Sequence, residues 1–211
     1  MSGAPLRPAW GILGGTFDPI HLGHLAIATE ARETLGLDGV VVVPAAVPPH
    51  KQDRRVTAAG HRVAMVELAI AGDPALSVSR IELERPGPSW AVDTVAVFAE
   101  RAAAEGRADP VFILSAEALA GFPTWREPDR ILGHCRIAVV PRPGARPVDR
   151  AALEARFPGR GDRFIELGGP SIGISATMVR ERVAAGRSIR YLVPLAVDAY
   201  IREHGLYRDA A

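Results

Sequence analysis

Two histidines beside a pair of glycines are the residues of this sequence best suited to chemistry. His21 and His24 follow Gly14 and Gly15 in the run GGTFDPIHLGH, residues 14–24. Glycines let the backbone turn sharply and let a phosphate approach closely, because they carry no Cβ. Histidines three positions apart share a face of a helix, as these two would. A strand, a glycine turn and a helix start would together bind an anion, because the helix offers free N–H groups and a partial positive charge.

Plainer interpretations of the histidine pair stay open at this point. Histidines at this spacing are often surface residues or satisfied core residues, and a pair can also belong to a metal site. No cysteine or third histidine lies nearby to complete the usual zinc ligand set. Neither the GxGxxG pattern of dinucleotide-binding proteins nor the GxxxxGK(S/T) pattern of P-loops occurs in this stretch. Phosphate chemistry here would therefore use imidazoles in place of a P-loop lysine.

A second anion site is predicted late in the chain. Ser175, Thr177 and Arg180 occur in the run ISATMVR, residues 174–180. Serine is a good helix N-cap, and an arginine one turn later can reach back to a phosphate with two parallel N–H donors. The plain alternative is an ordinary capped helix with a solvated arginine.

Short apolar segments alternate with helical patterns, which predicts an α/β fold with a doubly wound, mostly parallel sheet. Strands are expected at residues 10–13, 40–43, 76–83, 111–114, 137–140 and 164–167. Helices are expected to end near Leu35, to cover residues 61–70, and to begin after Ser89, Ser175 and Pro194. Ligands of such sheets bind beyond the carboxyl ends of the strands, where the glycine turn lies.

Composition limits the class of protein. The 211 residues are 48% apolar and 23% charged, which fits one compact domain over residues 1–211. Within it, residues 1–8 are expected to be flexible, and residues 174–211 to form a helical part carrying the second phosphate site. A net charge of +1 gives no support for nucleic-acid binding.

Cysteine content and hydropathy bear on location. A single cysteine, Cys135, excludes an intramolecular disulfide and is expected to be a small buried residue. No apolar run approaches the roughly 20 residues of a membrane span, and the first eight residues lack an apolar signal core. We therefore expect a cytoplasmic protein with no membrane partner. Whether it forms a homo-oligomer is left open.

The glycine–histidine run resembles the signature of nucleotidyltransferases that carry a His-x-Gly-His motif. It is most similar to that of the bacterial nicotinate mononucleotide adenylyltransferases, and ISATMVR resembles the Ile-Ser-x-Thr-x-x-Arg motif of the same family. The resemblance implies a Rossmann-like nucleotidyltransferase fold and a catalytic role for His21, His24 and Arg180. The residues that it implies for ATP binding are Gly14, Gly15, Thr16, Phe17, His21, His24, Ser115, Glu117, Ser175, Thr177 and Arg180.

Further matches extend the resemblance over nearly the whole chain. VPPHK, residues 47–51, resembles the loop that brings a lysine, here Lys51, toward substrate phosphates. Ala91 and Thr94 lie in the stretch that closes over the nicotinate ring, and FPTW ends on Trp125, which would stack on that ring. Core packing is the plain alternative for Trp125, and a mobile surface position is the plain alternative for Lys51.

Two positions depart from the family pattern. Ser115-Ala116-Glu117 stands where the family has Gly-x-Asp, whose aspartate holds a ribose, and Ala91 stands where the family usually has a threonine. Both departures concern substrate affinity and ring selectivity, and neither concerns the phosphate-binding residues.

The resemblance implies transfer of AMP from ATP to nicotinate mononucleotide, giving nicotinate adenine dinucleotide and pyrophosphate. Mg²⁺ is expected to be carried with ATP, with no dedicated metal site in the protein. Asp18, the nearest carboxylate, is interpreted mainly as a turn residue. Two rival functions stay open: transfer of AMP or CMP to phosphopantetheine or a polyol phosphate, and nucleotide binding without catalysis. The length and the Gly-Pro-Ser-Trp and Phe-Pro-Thr-Trp stretches argue against the first, and intact His21, His24 and Arg180 argue against the second.

Overall fold

The computed structural model describes residues 7–47, 56–141, 143–144 and 147–208. Six strands occur in these residues: β1 (Trp10–Gly15), β2 (Gly39–Pro44), β3 (Leu76–Val78), β4 (Val111–Ser115), β5 (Arg136–Val140) and β6 (Phe164–Glu166). They form one parallel sheet of order β3-β2-β1-β4-β5-β6. This order reverses between β1 and β4, as in doubly wound folds that bind nucleotides. The predicted fold class is confirmed.

Burial on both faces explains why these segments form central strands. Val42, Val43 and Ile113 are almost completely inaccessible to solvent, and β-branched residues fit a strand that is covered on both sides. In the pairing of β4 with β5, Val111 lies opposite Arg136 and Ser115 opposite Val140. The register therefore places Ser115 at the carboxyl edge of the sheet.

Nine helices lie in the described residues. Their bounds are α1 (Leu22–Leu35), α2 (Ala59–Ile70), α3 (Ile81–Glu84), α4 (Ala91–Ala104), α5 (Ala116–Gly121), α6 (Pro128–His134), α7 (Arg150–Arg156), α8 (Ala176–Ala184) and α9 (Leu195–Glu203). Short 3₁₀ helices occur at Phe122–Thr124 and Gly161–Arg163. The prediction of extended chain over 76–83 is correct only to Val78, because α3 follows.

The predicted N-cap is confirmed for α8 but not for α4. The Ser175 hydroxyl accepts from Met178 N–H (3.1 Å) and caps α8, as predicted. Ser89 does not cap α4, whose N-cap is Trp90. The Ser89 hydroxyl instead accepts from the Ala46 N–H at 2.8 Å. The prediction for Ser89 was wrong because a partner distant in sequence took the oxygen that a local cap would have used.

The chain divides into two compact units. Unit 1 contains residues 1–14, 27–41 and 90–171, and unit 2 contains residues 15–26, 42–89 and 172–211. The core of unit 1 includes the packed rings of Phe122, Phe157 and Phe164. In unit 1, Arg7 pairs with Arg107 in an isolated bridge, so the segment expected to be flexible over residues 1–8 is hydrogen-bonded at residue 7.

Two findings concern the single cysteine and the possibility of a membrane-spanning helix. Cys135 is buried, as predicted, and burial raises the pKa of its thiol to about 12, so it stays protonated near neutral pH. No helix within the described ranges is long and apolar enough to cross a membrane.

The packing around Gly11 in β1 yields a stability prediction. A Cβ there would lie 2.9 Å from the Val40 side chain and 3.0 Å from that of Leu37. Gly11→Ala should therefore lower the free energy of unfolding by about 1–3 kcal/mol, the usual cost of overpacking. Gly133→Ala in α6 is the matched control, because a Cβ at that position would meet nothing within 4 Å. Urea unfolding midpoints measure both, and equal midpoints would contradict the prediction.

Candidate active site

The loop after β1 has an unusual backbone that places an aromatic ring beneath a glycine. Phe17 has a φ of 50°, in the left-handed region that side chains disfavour. Its ring is buried, and a Cβ on Gly15 would lie 3.0 Å from it. The same ring meets the His24 ring edge-on, with centroids 5.0 Å apart. Gly15 is therefore required by the ring of Phe17 as well as by the turn.

The two predicted histidines are in direct contact. The rings of His21 and His24 stack with centroids 3.7 Å apart. His21 precedes α1, and His24 lies in its first turn. The His21 backbone N–H donates to Nδ1 of His24 at 3.2 Å. Since Nδ1 of His24 accepts, the proton of the neutral ring lies on Nε2, which can donate to a phosphate oxygen.

Gly23 makes room for the histidine pair. A Cβ on Gly23 would lie 3.0 Å from Nδ1 of His21, 3.1 Å from its Cε1 and 3.6 Å from the carbonyl oxygen of Ile174. Ile174 begins the second predicted motif. The glycine of the first motif thus lies between the ring of His21 and the start of the second motif, in unit 2.

Arg180 joins the second motif to the loop. Its Nη1 donates to the Asp18 carbonyl at 2.7 Å, and its Nη2 lies 3.2 Å from the Thr177 hydroxyl. A guanidinium has further N–H donors, so Arg180 can hold the loop and still meet an anion. Of the predicted residues, unit 2 therefore brings together Gly15, Thr16, Phe17, His21, His24, Ser175, Thr177 and Arg180.

Arg62 is a component of this arrangement that the sequence analysis missed. Its side chain is buried and donates to three carbonyls, those of Thr57 (2.8 Å), Thr16 (2.7 Å) and Ala46 (3.2 Å). Burial lowers the pKa of Arg62, and the nearby Asp18 opposes that shift. The available signal was spacing, because Arg62 shares a helix face with the buried Met65 and Val66.

Asp18 is more than the turn residue that the sequence suggested. Its carboxylate is buried and accepts from the Tyr207 hydroxyl at 2.7 Å and from the Thr57 N–H at 3.2 Å. Both oxygens of the carboxylate are therefore engaged by neutral donors.

Unit 1 carries the other predicted ATP-binding residues. A Cβ on Gly14 would lie 3.2 Å from the Phe112 ring, so the glycine permits close packing there. The Ser115 hydroxyl accepts from the Ala118 N–H at 3.2 Å and caps α5, with Glu117 in the first turn. The departure from Gly-x-Asp thus gives α5 an N-cap.

The residues expected near the nicotinate ring lie in neighbouring segments of unit 1. Ala91 is the first residue of α4. Trp125 is half-buried and meets the Phe112 ring edge-on, with centroids 6.2 Å apart. The guanidinium of Arg126 lies 5.3 Å from the Trp90 ring centroid, which places this segment beside the start of α4. Thr94 is buried within α4.

Two further predictions concern Lys51 and a metal ion. Lys51 lies outside the described residues. Within the described part of the chain, no group of three or more histidine, cysteine, aspartate or glutamate side chains could hold a metal ion.

Comparisons with known proteins agree with the family that the sequence motifs predict. The family model described as cytidylyltransferase-like matches residues 12–182. A relative from Roseiflexus sp. (strain RS-1) named "Probable nicotinate-nucleotide adenylyltransferase" is 50% identical over 99% of this chain and 100% of its own length. The chain belongs to the nicotinate-nucleotide adenylyltransferase family.

A second relative supports the family assignment, and a solved structure supports the fold. A Thermus thermophilus relative of the same name is 44% identical over 94% of this chain and 98% of its own. The solved Plasmodium falciparum nicotinic acid mononucleotide adenylyltransferase complexed with NaAD matches with a TM-score of 0.77 and 17% identity, over 96% of this chain and 98% of its own. That likeness supports the Rossmann-like fold of the family.

The space beside Gly23 yields a prediction that separates activity from stability. Gly23→Ala should displace the His21 ring and lower adenylyltransferase turnover by roughly 10²-fold, the scale for losing one preorganised donor. Its melting temperature should fall less than that of Gly11→Ala, because the helix propensity of alanine, up to about 1 kcal/mol above glycine, offsets part of the overpacking against His21. Gly60→Ala in α2, with nothing within 4 Å, is the control. Normal turnover of Gly23→Ala would contradict this account of the glycine.

Proposed function

We propose that this protein transfers AMP from ATP to nicotinate mononucleotide, giving nicotinate adenine dinucleotide and pyrophosphate. The names of its relatives support this activity. The observation that carries it is the stacked His21–His24 pair, in which the backbone fixes the proton of His24 on Nε2. An N–H donor at a glycine turn is suited to an anionic phosphate.

The reaction needs positioning and charge neutralisation rather than a general base. The 5′-phosphate of the acceptor is already an anion near neutral pH and attacks the α-phosphorus of ATP. The bond from that phosphorus to the bridging oxygen breaks, and pyrophosphate leaves. In our proposal His21, His24 and Arg180, with the N-terminus of α8, stabilise the negative charge that develops on the phosphate oxygens.

Magnesium enters this proposal as part of the substrate. Asp18 does not fit a Mg²⁺ ligand in this structure, because its carboxylate is buried and accepts from Tyr207 and Thr57. We therefore assign MgATP as the nucleotide substrate, with the ion held by triphosphate oxygens and water. We also propose a cytoplasmic enzyme that acts on free nucleotides rather than nucleic acid, which the net charge of +1 supports.

Pyrophosphate release from ATP tests the function directly. The purified protein is assayed with nicotinate mononucleotide, nicotinamide mononucleotide, phosphopantetheine and glycerol phosphate in separate reactions. Fastest turnover with nicotinate mononucleotide is expected. Turnover with another acceptor alone would assign a different transferase, and ATP binding without turnover would leave a nucleotide-binding protein.

The role of the imidazole pair is tested by substitution. His24→Ala should lower kcat by roughly 10²–10³-fold, because one preorganised donor to the developing charge is lost. His204→Ala is the control, since this exposed histidine follows α9 and bonds to the Tyr200 carbonyl. A folded His24→Ala protein with wild-type kcat would rule out this role.

A further prediction concerns the choice between a nicotinate and a nicotinamide ring in the acceptor. α4 starts at Ala91, and the partial positive charge at that helix N-terminus favours a carboxylate over an amide. Asp93 lies in that turn and opposes this preference, while Arg130, which bonds to Glu127, is near enough to attract the Asp93 carboxylate. We expect a kcat/KM preference for nicotinate over nicotinamide mononucleotide of at least about tenfold, equivalent to about 1.4 kcal/mol.

Ala91→Thr should widen that preference, because it adds a hydroxyl donor near the ring. Ala91→Val, of nearly the same shape, is the matched control for size. Equal use of both acceptors by the wild-type enzyme would contradict the helix-terminus argument.

A further inference from the structure

Tyr207, near the end of the described chain, has a backbone that few residues with side chains adopt. Its φ is 64°, and Gly205 two residues earlier has a φ of 61°. Such positive values are uncommon for non-glycine residues. They follow directly after α9, which ends at Glu203. The consequence is a phenol ring that turns inward, with its hydroxyl 2.7 Å from Oδ1 of Asp18.

Asp18 is the junction of three separate segments of unit 2. Its Oδ1 accepts from Tyr207, and its Oδ2 accepts from the backbone N–H of Thr57. Its main-chain carbonyl accepts from Nη1 of Arg180. A change in the position of the carboxylate therefore moves the carbonyl that orients Arg180.

The same loop is fixed on its other side. The Thr16 carbonyl accepts from Arg62 at 2.7 Å, so residues 16–18 are held between a buried guanidinium and the Tyr207 hydroxyl. His21 follows three residues after Asp18 and stacks on His24. The loop that Tyr207 holds is therefore the one that leads into the imidazole pair.

We propose that Tyr207 is a positioning residue for adenylyl transfer, whose hydroxyl holds Asp18 and thereby sets the geometry of Arg180 and His21. This inference rests on the proposed function of the site. Tyr207 touches no substrate in this role and acts only through Asp18.

The surroundings of the Tyr207 hydroxyl keep it protonated, so that it can donate to Asp18. Burial first, and then the charge of Asp18, raise the pKa of Tyr207 well above its ordinary value. Arg180 and Thr57 are close enough to oppose this shift. The hydroxyl therefore stays protonated over any practical assay pH and keeps donating to the carboxylate.

The structure provides a matched control on the neighbouring helix. Tyr200 in α9 also bonds through its hydroxyl to another segment, since its oxygen lies 2.9 Å from Nδ1 of His61 in α2. It lacks the bond to Asp18. Tyr200→Phe and Tyr207→Phe each remove one hydroxyl that ties the C-terminal segment to the rest of unit 2, but only the second removes the donor to the loop.

The experiment compares the two variants in steady-state kinetics with ATP and nicotinate mononucleotide. Tyr207→Phe should lower kcat by about tenfold or more, as expected for a lost hydrogen bond to a charged group. The KM for nicotinate mononucleotide should match that of Tyr200→Phe, whose kcat should stay within about twofold of wild type, and both variants should remain folded at the assay temperature. Equal kcat losses in both variants, or none in Tyr207→Phe, would overturn the proposal.

A double-mutant cycle separates positioning from general stability. Because Tyr207 acts through Asp18, adding Tyr207→Phe to Asp18→Ala should change kcat no further, whereas additive losses would contradict the inference. If wild-type protein releases no pyrophosphate with any acceptor, the proposed function fails. The imidazole resonances of His21 and His24 then test the inference alone: they should shift in Tyr207→Phe and not in Tyr200→Phe, and unshifted resonances would overturn it.

Discussion

The loops of unit 2 depend on one buried guanidinium. Arg62 donates to the carbonyls of Thr16, Thr57 and Ala46, so a single side chain binds three separate segments of the chain. Buried carbonyls need donors, and removing one donor leaves an acceptor without its compensation for lost water. Arginine suits this position because its planar group presents several N–H bonds in fixed directions and stays charged. The geometry of Asp18 and of the histidine pair depends on a loop fixed in this way.

The strands, one helix cap and the histidine pair could be predicted because they depend on local sequence patterns. The strands follow from β-branched apolar runs, and the Ser175 cap follows from a single side chain bonding within its own turn. The contact of His21 with His24 follows from their spacing. In the cap and in the histidine pair the interacting groups are close in sequence, so their geometry is determined by the helix or turn itself.

The remaining features depend on partners that sequence order does not reveal. Ser89 has the residue type of an N-cap, but its hydroxyl bonds to Ala46, 43 positions away. Asp18 resembles a turn residue, but its partner Tyr207 lies 189 positions away. Arg62 could have been questioned as a charge on an apolar helix face, although its three acceptors are main-chain groups that no residue type identifies.

The distance along the chain between Asp18 and Tyr207 has a consequence for the order in which the enzyme forms during translation. A ribosome adding about 5–20 residues per second needs roughly 10–40 seconds to synthesise the 189 positions between them. During that interval Oδ1 of Asp18 lacks the phenol that bonds to it in the folded protein. The nascent chain therefore contains its glycine-turn residues long before it acquires this donor to Asp18, and the site cannot be fully formed until residue 207 has been synthesised.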